Sequence, residues 1–156
     1  MIETIGNFSL AAALLLAAAS LVACIASVRL ESVAALRGAR WLLGAFALVI
    51  SVTVATLLVA LFSSDFRFEY VASYTERSLP AGYKFAALWA GQQGSLLLWG
   101  WLLSMICAIA AFGLRRQNGA EGAATIAVMM TVCGFFAALL LFAANPFELI
   151  AGPTPI

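Results

Sequence analysis

The chain has 156 residues, of which 65% are hydrophobic and only 10% charged, with a formal net charge of +1 and a mean hydropathy of +1.07. That composition excludes a water-soluble globular fold, and the near-neutral charge excludes the basic face that nucleic-acid binding requires. Four long apolar runs consume nearly the whole chain and leave no room for a separate soluble domain. The expected architecture is all-α and integral to the membrane, with four transmembrane helices and a longer extracytoplasmic loop between the second and third.

The first run, Phe8 to Val28, has the roughly 20 residues that cross about 30 Å of hydrocarbon at 1.5 Å per residue. Its "LVAC" at Leu21 to Cys24 resembles a lipoprotein cleavage box, but the residues before it include Glu3 and no Lys or Arg. A signal peptide wants positive charge there, so the segment is expected to stay as a first helix. The second span is expected over Trp41 to Phe62, and neither run has a charged residue in its interior. Proton relays and ion pathways place ionisable groups at membrane depth, which makes a pump a poor reading. Cys24, Cys107 and Cys133 sit in apolar runs, with no C-x-x-C pair and no C-x-x-C-H haem-attachment motif; they read as small buried thiols.

The loop that follows, about Ser63 to Lys84, alternates Phe66, Phe68 and Tyr70 with Arg67 and Glu69. Period-two patterning predicts an extended segment with one apolar face, either a surface loop that rests its aromatics on lipid or on neighbouring helices or a strand-like ledge over a pocket. Leu79-Pro80-Ala81-Gly82 then supplies a turn. From Gly82, the aromatic-rich stretch through Tyr83, Phe85 and Trp89 suits the headgroup zone, so the chain is expected to lie along the membrane before it enters. The third segment runs to Leu114, over about residues 83–114 in all, and the fourth span over Ala123 to Ala144.

Lys and Arg set the orientation. Arg29, Arg37, Arg40, Arg115 and Arg116 crowd the first and third loops, whereas the second loop offsets Arg67, Arg77 and Lys84 with acidic residues. Both termini and residues 63–84 are therefore expected outside the cytoplasm. Counting back about 20 residues from Arg115-Arg116 puts Gly91-Gln92-Gln93-Gly94-Ser95 at the outer interface. If this stretch is helical, Gln92, Ser95 and Trp99 share one narrow sector, while Gln93 and Leu97 point elsewhere. Interfacial water and close helix approach at Gly91 and Gly94 would explain the pattern simply. The sharper reading is a cavity wall, where a flat indole and a few hydrogen-bonding groups suit an apolar ligand with a polar edge.

The ordered motifs "IGNFSL" at Ile5 to Leu10, "YVAS" at Tyr70 to Ser73, "LP" at Leu79-Pro80, "YK" at Tyr83-Lys84, "GSLLLW" at Gly94 to Trp99 and "NPF" at Asn145 to Phe147 resemble the CcmF and NrfE family of cytochrome c haem lyases along the whole chain. The resemblance implies the N-terminal portion of a larger multi-spanning protein of the cell inner (cytoplasmic) membrane. It further implies that the rest of the same lyase, a haem chaperone, apocytochrome c and the lipid bilayer are partners, and that haem is joined to apocytochrome thiols on the outer face.

The family's tryptophan-rich signature loop and haem-ligating His lie further along its chain. This sequence has no His, so haem is expected to be held mainly by parts outside it, with no metal ligand and no catalytic residue here; lyase activity rests on the resemblance alone, and this portion by itself is expected to be inactive. Gln92, Gln93, Ser95, Trp99, Trp89 and Tyr83 are the candidates for the haem region or cavity wall, and Lys84, Arg77 and Arg67 for propionate or interface cations. Gln93 stands where the family commonly has Glu, which keeps hydrogen bonding but loses a charge. Two rival readings are a small structural or assembly subunit with no haem role, and half of a transporter with a broken helix at its substrate site.

Overall fold

The computed structural model describes residues 1–113 and 118–150. Four long helices dominate it: α1 (Ile2–Arg29), α2 (Val33–Phe62), α5 (Gln92–Gly113) and α6 (Gly119–Phe142), each long and apolar enough to cross a membrane. Two short helices, α3 (Glu69–Tyr74) and α4 (Ala81–Ala86), occupy the loop between α2 and α5, and a 3₁₀ turn, Ala87–Trp89, leads towards the latter. The only strand-like pairing among the described residues is an antiparallel bridge between Phe68 and Leu149.

The helices are arranged in a ring: α1 packs on α2 and α6, and α5 closes it by packing on the same two. In lipid, close packing and interhelical hydrogen bonds replace the hydrophobic effect as the force that joins helices. The buried face of α1 fits that requirement. It consists of Gly6, Ser9, Leu10, Ala13, Ala17, Ser20, Cys24 and Ser27, small at every position but Leu10. Gly134 of α6 approaches Ala17 there so closely that an added Cβ would lie 3.2 Å from the alanine methyl.

Among the described residues, three hydrogen bonds cross between the long helices: Ser9 Oγ to Thr53 Oγ1 at 2.8 Å, Ser20 Oγ donating to the Ala39 carbonyl at 3.2 Å, and Trp101 Nε1 donating to Ser51 Oγ at 2.8 Å. Bonds of this kind are worth about 0.6 kcal/mol each in a bilayer. They set register more than they set stability.

Two sequence expectations change. The helices extend beyond the apolar cores at both sides of the first loop, so α1 runs on to Arg29 and α2 starts at Val33, and only Leu30 to Ser32 joins them. Ser32 makes this turn possible by capping α2, its Oγ accepting from the Ala35 N–H at 3.2 Å. Arg37 and Arg40, expected as loop anchors, accordingly lie within α2, and Arg40 is buried. The third segment, expected with an interfacial first part, is divided: α4 and the 3₁₀ turn precede a separate α5. Finally, the extended ledge over Phe66 to Tyr70 is instead a turn followed by helix from Glu69. The alternation correctly foretold burial, since Phe68 and Tyr70 are buried and Arg67 and Glu69 exposed. It failed for the backbone because five residues spanning an extended N-cap and the start of a helix can alternate as a strand does. Arg115 and Arg116, from which the depth of α5 was counted, lie outside the described residues.

Candidate functional site

The end of the bundle that carries the loop between α2 and α5 is organised by one tyrosine. Tyr70 of α3 is 3% exposed, and its hydroxyl donates to the Ala87 carbonyl at 2.8 Å, lies 3.2 Å from that of Leu88, and accepts the Gly91 N–H at 3.2 Å. It thereby satisfies backbone groups that the interruption before α5 would leave without partners. Burial raises its pKa above the usual tyrosine value, opposed by the Gly91 hydrogen bond.

The two glycines of the break follow from this lock. A Cβ at Gly94 would collide with the Tyr70 hydroxyl and the Leu88 carbonyl, and one at Gly91 with the Tyr74 and Tyr70 rings. These rings pack together with centroids 4.9 Å apart. Ser95 completes the junction, its Oγ donating to the Trp89 carbonyl at 2.9 Å while its N–H bonds the Gly91 carbonyl.

A second fastening joins the helix ends. After α6, Asn145 Nδ2 donates to Asn7 Oδ1 of α1 at 2.7 Å, and Asn145 Oδ1 accepts the Phe147 N–H at 2.9 Å. That turn drives the Phe147 ring over Gly6, where a side chain would clash, and edge-on to Phe68 with centroids 6.4 Å apart. The Glu69 N–H bonds the Glu148 carbonyl and the Ile150 N–H the Arg67 carbonyl, both at 3.0 Å. Beside this clasp is a cavity of about 370 Å³ whose lining includes Glu3, Asn7, Asn145 and Glu148.

The candidate residues divide by exposure. Tyr83 is 66% exposed, Trp89 46% and Trp99 65%, and Gln92 is also exposed; Gln93 and Ser95 are half-buried. Leu97 is buried. Gln92 and Trp99 thus present a face directed away from the other three long helices. Trp89 packs edge-on against Phe85, centroids 5.5 Å apart.

The three loop cations are engaged locally. Arg67 is paired with Asp65 at 2.7 Å, Arg77 lies over the Phe66 ring at 5.7 Å, and Lys84 Nζ donates to Ser64 Oγ at 2.7 Å. Hydrogen bonding to Arg67 holds the Asp65 carboxyl below the usual carboxylate range. Among the described residues no group of three or more His, Cys, Asp or Glu could hold a metal ion.

Sequence reasoning singled out the glutamines and tryptophans but missed Tyr70 as the organising group, together with Asn7, Asn145 and Phe147. The glycine spacing 91 and 94 hints at a close approach, but it does not name the Tyr70 and Tyr74 rings that fill the space.

Four helices long and apolar enough to cross a membrane, with a fastened loop and a divided third segment, define a multi-spanning membrane protein. No family model matches the chain, but individual proteins do. It is 34% identical over 102 residues to the cytochrome c-type biogenesis protein NrfE of Haemophilus influenzae, covering 65% of this chain and 16% of that protein. It is 38% identical over 107 residues to the cytochrome c-type biogenesis protein CcmF of Escherichia coli, covering 67% of this chain and 16% of that protein. A solved structure, that of the cytochrome c haem lyase CcmF, superimposes with a TM-score of 0.86 at 27% identity over 95% of this chain and 25% of that one. The chain belongs to the CcmF/NrfE family of cytochrome c-type biogenesis proteins, and it spans about a sixth of the two relatives' length and a quarter of the solved chain's.

Proposed function

We propose that this chain serves cytochrome c maturation as the membrane scaffold of a haem lyase, shaping the outer surface on which haem is handed to apocytochrome c. The observation that carries this reading is the superposition of nearly the whole chain on a haem lyase at 27% identity; an assembly subunit with no haem role gives no reason for that likeness. The protein resides in the cell inner membrane, with both termini and residues 63–84 outside the cytoplasm. Its partners are the remainder of the lyase, a haem chaperone and apocytochrome c.

The residues suit the porphyrin rather than the iron. Haem iron takes His, Cys, Met or Tyr as ligands; the chain has no His, and Cys24, Cys107 and Cys133 are buried within the helices. Tyr83 and Trp89 instead offer exposed aromatic surface, Trp99 bounds it on the membrane side, and Gln92, Gln93 and Ser95 offer hydrogen bonds at its edge. These form one wall of the haem region, the opposite wall belonging to the rest of the lyase. Anionic propionates are favoured near Lys84 and Arg77 and disfavoured beside Glu3 and Glu148 of the clasp; Arg67, already paired with Asp65, contributes least.

The test is haem staining of c-type cytochromes in a host lacking its own lyase, with this chain and the remainder of the lyase supplied together. Scrambling Phe68 to Trp99 is expected to abolish covalent haem attachment. Undiminished attachment overturns the reading. The purified chain alone is expected to show no Soret band, consistent with a wall that offers the iron neither His nor an accessible Cys.

A further inference from the structure

The outward faces of α1 and α5 differ in one respect that a bilayer does not tolerate equally. On α1, Phe8, Leu15, Val22 and Ile25 are exposed and carry no polar atom. On α5, the exposed stripe is Gln92, Trp99, Leu102, Met105, Ile106 and Ile109. It contains an amide and an indole N–H. The 22 residues of α5 make a rod of about 33 Å, close to the thickness of the hydrocarbon core. Trp99 stands seven residues below Gln92, hence about 10 Å inside the helix start at 1.5 Å per residue, deeper than the interfacial belt where tryptophan is at home.

Hydrocarbon offers no acceptor to an N–H at that depth, and leaving one unsatisfied is costly. The fold shows how the chain treats its other indole at this level. Trp101 turns inward, half-buried, and donates to Ser51 Oγ at 2.8 Å. Trp99, two residues away, has an exposed ring and no hydrogen-bonding partner among the described residues. Meanwhile three quarters of the solved lyase chain lies outside the stretch this chain matches, and those parts must pack somewhere on the four-helix unit.

We infer that the α5 stripe from Trp99 to Ile109 is the seam on which transmembrane helices of the remaining lyase dock, with a hydrogen-bond acceptor opposite Trp99 Nε1, whereas the α1 face looks onto lipid. The inference rests on the reading that this chain is one part of a larger lyase, and it adds which face is covered and by what chemistry. Large aliphatic side chains at Leu102, Ile106 and Ile109 supply the packing surface, and the indole fixes register, as single polar contacts do between membrane helices. The seam continues upward into Gln92 and the aromatic rim, so docking and the proposed haem wall meet at the outer interface.

The experiment is photo-crosslinking in native membranes, with a benzophenone amino acid placed singly at positions 99, 106 and 109 of α5 or 8, 15 and 22 of α1, and the rest of the lyase co-expressed with its own tag. The expected result is a protein adduct to the rest of the lyase from the α5 positions and only lipid adducts from α1. In parallel, Trp99→Phe keeps the ring but removes the donor and is expected to lower co-purification of the partner about threefold to tenfold.

Adducts to the partner from α1 but not α5, adducts between two copies of this chain at α5, or lipid alone at every position would each overturn the inference. The readout is physical association, so loss of haem attachment with the α5 adducts intact would count against the proposed function and leave the seam standing.

Discussion

The two ends of this helix bundle are built on different principles. At the end that bears the first turn, the inner end in the proposed orientation, α1 and α2 are joined by three residues, and a single side-chain hydrogen bond from the Ala35 N–H to Ser32 Oγ starts the second helix. At the opposite end, Tyr70, Gly91 and Gly94 form a lock, and Asn7, Asn145, Phe147 and Phe68 form a clasp. A short turn needs little more than a cap and a permissive backbone. Holding a loop of more than two dozen residues in one shape requires specific long-range contacts, because loop closure must offset the entropy of ordering it. The difference shows where positional accuracy is concentrated, and it is the end that carries the proposed haem wall.

Glycines provide the sharpest contrast. Gly94→Val places a branched side chain on the Tyr70 hydroxyl and the Leu88 carbonyl and is expected to destabilise by about 3 kcal/mol or to abolish folding, as overpacking does at its upper range. Gly38, in the inner half of α2, has nothing within 4 Å of an added Cβ, so Gly38→Ala is expected to stabilise by up to about 1 kcal/mol through helix propensity. Unfolding in detergent micelles measures both. Equal effects at the two positions would erase the distinction between the ends.

Tyr70→Phe keeps the ring while leaving the Gly91 N–H without its acceptor and is expected to cost about 2 kcal/mol. The pH dependence is diagnostic. Burial raises the folded-state pKa of Tyr70 above its model value of 10.0, so the unfolded chain releases its proton first as pH rises. The stabilising contribution is complete below about pH 10 and is lost as pH climbs through the raised value. The phenylalanine variant is expected to lack that alkaline loss, which stability measurements between neutral and strongly basic pH would detect.

At the inner end the largest single side-chain effect is expected from Ser32→Ala, about 1 kcal/mol for the lost N-cap. The smallest effect belongs to the loop surface. Arg67 lowers the Asp65 pKa below 3.8, so the contribution of the pair is present above about pH 4 and fades as pH falls through the lowered value. Asp65→Asn should flatten that acid limb and change little at neutral pH, since exposed ion pairs contribute little.

Much of the fold was legible because span length and hydropathy are set by bilayer thickness, and those are properties of contiguous sequence. Helix ends were less so. Arg37 and Arg40 read as loop anchors, yet backbone hydrogen bonding carries α2 past them to Ser32. Helical spacing separated Gln92 from Leu97, but it did not say which of them faces away from the other helices. The lock was not legible, because the Tyr70 contact to Gly91 spans 21 residues and no local periodicity encodes it. The asparagine clasp, separated by 138 residues, was visible only as two short motifs whose meeting nothing in the linear pattern required.

That clasp imposes an order on biosynthesis. A chain made from its N-terminus exposes Asn7 and Phe68 long before Asn145 and Phe147 exist, and the Arg67 and Glu69 backbone groups wait for residues 148–150. The loop between α2 and α5 therefore reaches its final shape only after α6 has crossed the membrane and its tail has emerged on the same side. Closure of the clasp thus reports that all four helices have inserted with the correct polarity.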